Sequence, residues 1–113
     1  MSVIIYHNPK CSKSRAALAL LRERGLEPRV IEYLKQPPSA GELKNILGML
    51  GARPRELLRT KEAREAGLDD PGLSDEAIIA GMLAQPITIE RPIVIAGDRA
   101  RLGRPPERVL EIV

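Results

Sequence analysis

A chain of 113 residues, 43% apolar and 29% charged, has the size and balance of one soluble folded domain with a real core. A single cysteine excludes an internal disulfide framework, and with only one histidine beside it an ordinary structural zinc site is excluded too. The net charge of +3 comes from basic residues interleaved with acids, and with two tyrosines and no Phe or Trp there is no stacking surface for nucleic acid.

Val3-Ile4-Ile5-Tyr6 opens the chain as a short apolar strand. The polar segment His7-Asn8-Pro9-Lys10-Cys11-Ser12-Lys13-Ser14-Arg15 follows, and then Ser14, Ala17, Leu18 and Leu21 recur at helical spacing as far as Gly25. Arg29 to Tyr33 reads as a second strand, and strand–helix–strand of this length implies parallel pairing through a right-handed crossover. A helical stretch over about 39–86 comes next. Ser39 and Glu42 form a capping-box signature ahead of Leu43, Ile46, Leu47 and Leu50, with Gly51 as the stop. A short helical piece follows Pro54 and includes Leu57 and Leu58. After a loop around Gly67 to Gly72, Ser74 caps a helix buried through Ile78, Ile79, Met82 and Leu83 and closed by Pro86. Pro92-Ile93-Val94-Ile95 is a strand, Gly97-Asp98 a turn and Ala100 to Leu102 a returning strand. Pro105 opens a last helix with Val109, Leu110 and Ile112 on one side. The order is β-α-β, helices, β-β-α, read as one α/β domain over 1–113. No charged leader precedes a long apolar stretch, and nothing approaches the roughly 20 apolar residues of a membrane helix, so a cytoplasmic location is expected.

Cys11 carries the chemistry. A thiol at a helix start faces unpaired N–H groups and the positive end of the helix dipole, which favour the nucleophilic thiolate. Lys10, Lys13, Arg15 and Arg22 add positive charge, and residues 1–22 contain no acid. The same N–H groups suit an oxyanion. A lone cysteine is more often buried and inert, but the polar, basic neighbours favour a reactive one. His7 either raises the local positive potential or orders the loop by hydrogen bonding. Asn8 and Pro9 set the turn, and Ser12 and Ser14 cap the helix or donate to an oxyanion.

The segment His7 to Arg15 resembles the active-site loop of the glutaredoxin-coupled arsenate reductase family, in its short single-cysteine branch. Tyr33-Leu34-Lys35-Gln36-Pro37-Pro38, Leu57-Leu58-Arg59, Glu90-Arg91-Pro92-Ile93-Val94 and Arg101-Leu102-Gly103-Arg104-Pro105-Pro106-Glu107 are similar to its later blocks, in order and at compatible spacing. The resemblance implies a thioredoxin-like fold with a helical insertion, Cys11 attacking arsenate, and Arg59, Arg91 and Arg104 holding the oxyanion. His7, Ser14 and Arg15 are supporting candidates, and Pro92 is a candidate cis proline. Arginine suits this role because its rigid fork of N–H donors matches a tetrahedral oxyanion.

Reducing arsenate to arsenite takes two electrons, and one cysteine supplies one thiol. A second thiol must come from outside. The resemblance names it as glutathione, a co-substrate, with glutaredoxin recycling the mixed disulfide and no bound cofactor or metal. Two further readings share this site: a redox-responsive transcriptional regulator like the Spx branch of the fold, and a general glutathione-linked thiol reductase. Spx-like proteins usually carry a Cys-x-x-Cys pair, whereas Cys11 is followed by Ser12, Lys13 and Ser14.

Overall fold

The computed structural model describes residues 2–113, whose packing divides into two compact units: residues 2–36 with Arg91–Val113, and Pro37–Glu90. The first unit is built on a four-stranded sheet. Its strands are β1 (Val3–His7), β2 (Arg29–Glu32), β3 (Ile93–Ala96) and β4 (Arg99–Leu102), in the order β2-β1-β3-β4. β2 runs parallel to β1, as a helical crossover demands, while β3 pairs antiparallel with β1 and β4 antiparallel with β3. Ile5 is opposite Val30 on one side and Val94 on the other, which sets the register.

The apolar alternation of the strands supplies one side of the core. Val3 and Ile5 of β1 and Val94 and Ala96 of β3 share a face, since alternate residues of a strand point the same way. Ala17 and Leu21 of α1 (Ser12–Glu23) and Val109 and Ile112 of the closing segment cover that face. Each fully buried aliphatic side chain contributes about 1.5–3 kcal/mol. The hairpin joining β3 to β4 turns on Gly97, whose φ of +64° is one a side chain rarely tolerates.

The element order and sheet pairing give the expected thioredoxin-like arrangement, with two differences of detail. The closing segment is a tight 3-10 helix, Pro106–Ile112, with Pro105 at its N-cap in place of an α-helix opened by Pro105. Proline suits the first turn of either winding, since the N–H groups it lacks have no partner there, so Pro105 marks the start without choosing the pitch. β2 ends at Glu32, where Lys35 and Gln36 both donate to its carbonyl and turn the chain, leaving Tyr33 buried beyond the strand.

The second unit is helical. α2 (Ala40–Leu50) begins with the expected capping box: Ser39 Oγ accepts from Glu42 N–H, and Glu42 returns a carboxylate oxygen to Ser39 N–H. α4 (Asp75–Ala84) begins at Ser74, whose hydroxyl accepts from Ala77 N–H. Between them lie a 3-10 turn, Pro54–Leu57, and α3 (Thr60–Glu65), a helix the sequence pattern does not reveal. Only Ala63 of α3 is buried, so it has no apolar stripe to betray it. Leu58 pairs with Ile89, and Glu90 N–H donates to Leu57 O, closing the unit's two ends on each other. Among the described residues no helix is long and apolar enough to cross a membrane.

Candidate active site

The loop between β1 and α1 is folded by its own side chains. Asn8 Oδ1 accepts from Lys10 N–H at 3.0 Å, and Asn8 O accepts from Cys11 N–H at 3.0 Å. That pair of bonds brings Cys11 to the N-cap of α1 with extended backbone angles, half-buried and free of any disulfide. Arg15 clasps the loop from outside, its guanidinium donating to Pro9 O at 3.0 Å.

Beneath the loop, Ser14 Oγ accepts from Asn8 N–H at 3.1 Å and lies 2.6 Å from His7 Nδ1. The Ser14 hydroxyl thus ties the His7 ring to the Asn8 amide, its oxygen shared between the two. Burial lowers the basicity of His7, Glu32 on β2 opposes that, and Arg22 and Arg15 reinforce it, with a net fall. That fall disfavours the charged imidazolium. Of its two expected roles, the geometry realises loop ordering, through the fully buried Ser14.

Burial alone would raise the Cys11 thiol's pKa, but it is outweighed. Ser14 N–H, the charge of Arg91, Lys13 N–H and hydrogen bonding from the Arg91 guanidinium all favour thiolate, and the net shift is downward. The sulfur closes no conventional side-chain cap on α1. The first-turn N–H groups of Lys13 and Ser14 nevertheless favour its thiolate, as the helix start predicts. No acid lies in that first turn to oppose them.

Arg91 reaches this thiol from just before β3 and is only 4% exposed. Water cannot solvate a guanidinium so placed, and an anion beside it answers part of its charge. Arg104 arrives from just past β4 and donates through Nη1 to Arg91 O at 3.3 Å. The peptide bonds Arg91–Pro92 and Arg104–Pro105 are both cis; only the first was foreseen. Cys11, Arg91, Arg104, His7, Ser14 and Arg15 thus all lie in the first unit. Arg59 lies in the second, where its amide donates to Thr88 O at 2.8 Å and its guanidinium pairs with Glu62 at 3.1 Å. The acid that orients Arg59 was not singled out in the sequence, although the i,i+3 spacing of the two residues is its signal.

Other arginines have structural work. Arg101 binds Glu111 at 3.0 Å, and Arg55 donates to the carbonyls of Asp70 and Leu73. An open groove beside the loop is lined by His7, Pro9, Arg15, Leu18, Arg22 and Glu23, among others, and not by Cys11. Among the described residues no group of three or more His, Cys, Asp or Glu side chains is placed to hold a metal ion.

A family model described as the ArsC family matches residues 6–112. The chain is 47% identical to an arsenate reductase of Haemophilus influenzae over all of both proteins. It is 54% identical to a protein of Escherichia coli K12 named only as uncharacterized, YfgD, over 98% of this chain and 96% of that one. Among solved structures, an arsenate reductase from Vibrio cholerae superposes with a TM-score of 0.95 at 52% identity, covering 100% of this chain and 98% of that one.

Proposed function

The chain belongs to the ArsC family, and we propose from that membership and from its thiol–guanidinium site that it is an arsenate reductase. The observation that carries the reading is a half-buried cysteine, its pKa lowered, served by helix-start amides and by a buried arginine. Such a site both makes a nucleophile and holds a tetrahedral oxyanion.

In the reaction we infer, the Cys11 thiolate attacks arsenic and one arsenate oxygen leaves as water. Arg91 and Arg104 hold the remaining oxygens, and the family resemblance gives Arg59 the same role. Glutathione then attacks the Cys11 adduct: a sulfur–sulfur bond forms, the sulfur–arsenic bond breaks, and its electron pair goes to arsenic. Each thiol gives up one electron, and arsenite departs. Glutaredoxin returns Cys11 to its thiol by thiol–disulfide exchange. The lone cysteine supports the external donor, since no second thiol exists in the chain. A reducing, cytoplasmic setting suits such a cycle.

The test is arsenite formation with arsenate, glutathione and glutaredoxin, compared between the native chain and Cys11→Ser. Sustained arsenite release that disappears in Cys11→Ser supports the proposal. Turnover of a glutathione mixed disulfide with no arsenite would instead identify a general thiol reductase.

A further inference from the structure

Gly103 stands between β4 and Arg104, and its backbone has no positive φ to require glycine. What it requires is space. A Cβ at this position would lie 2.7 Å from Cγ of Pro92 and 3.1 Å from Cγ1 of Val109. Carbon atoms in favourable contact sit about 3.5–4.0 Å apart, so a single methyl group cannot be absorbed there without movement. Neither neighbour can swing aside cheaply: Pro92 and Val109 are both fully buried, and a proline ring is rigid.

The same spot joins the two arginine-bearing segments. Gly103 N–H donates to Pro92 O at 2.8 Å, continuing the ladder one step beyond the Ile93–Leu102 pair. Arg104 N–H donates to Leu102 O at 3.0 Å, and Arg104 Nη1 donates to Arg91 O at 3.3 Å. Displacing Pro92 therefore displaces Arg91, the residue before it, and breaks the register of Arg104 against it.

We propose that Gly103 is a positioning residue: having no side chain, it lets the end of β4 lie directly on Pro92, and this close approach sets Arg91 and Arg104 for the anion at Cys11. The inference rests on the site reading above, but its main readout does not need arsenate. Gly103→Ala should raise the midpoint of Cys11 alkylation against pH by roughly one unit, because Arg91 moves off the sulfur. Arsenate kcat/KM should fall by about 100-fold, as for other small misplacements of reacting groups. Gly81→Ala is the control. A Cβ there meets only the Leu68 side chain within the second unit, so the alkylation midpoint should stay unmoved whether or not the unfolding midpoint shifts. If Gly103→Ala does not fold, Gly103→Ala with Val109→Ala gives the new methyl room on one side while the Pro92 clash remains, and the same rise is expected. A variant that is destabilised but keeps the native alkylation midpoint would make Gly103 a packing residue only and overturn the proposal. Should the native chain not reduce arsenate, the functional reading fails alone, and the alkylation midpoint still decides the role of Gly103.

Discussion

At Cys11 two opposing effects of one location are resolved by hydrogen bonding. Partial burial disfavours the thiolate, while amides of Ser14 and Lys13 and the Arg91 guanidinium favour it more strongly. A pH series of alkylation rates should therefore show a midpoint below the value of about 8.5 for a free cysteine. The linkage has a definite sign. Between the folded midpoint and the unfolded one the unfolded chain binds more protons, so stability rises with pH across that window. It is complete above the unfolded value and lost as pH falls through the folded one. Cys11→Ser should remove this slope from urea unfolding measured at several pH values. Arg91→Lys keeps a positive charge but loses the fork, and it should cost arsenate kcat/KM about 100-fold. A near-native rate in that variant would show that charge alone suffices.

The elements were legible in proportion to their local signals. Ser39 with Glu42, and Ser74 ahead of Asp75 and Glu76, announce α2 and α4 because a cap is built from neighbours in sequence. Ser39→Ala should cost about 1 kcal/mol, a fall of about 3–5 °C in thermal midpoint, with no change in thiol reactivity. A loss many times larger would mean the capping box supports more than its own helix. α3 was missed because six residues with one buried alanine carry no periodicity. The final helix is legible in its start at Pro105 and in the burial of Val109 and Ile112, whose i,i+3 spacing fits the tighter 3-10 winding as well as an α-helix. Within the site, Cys11 and its helix start were legible for the same local reason. The hydrogen bond between Ser14 and His7, and the lack of room at Gly103, depend on chain segments meeting in space. Spacing in sequence does not disclose them.

At the scale of the molecule, the proposed route commits the chain's only thiol to attack, which forces the rest of the cycle outward. Regeneration cannot proceed by an internal disulfide, because residues 12–113 offer no resolving cysteine. An external thiol must meet Cys11 where it stands, half-buried at the head of α1. With arsenate and glutathione but no glutaredoxin, we expect turnover to stall with one glutathione on Cys11. Intact-mass spectrometry should find that species, and addition of glutaredoxin should remove it and restore arsenite release. Thioredoxin alone should support little turnover, since it brings no small thiol to attack the arsenic adduct. Rapid multiple turnover with thioredoxin and no glutathione would contradict this route. It would require the partner's own cysteine to take the place assigned to glutathione.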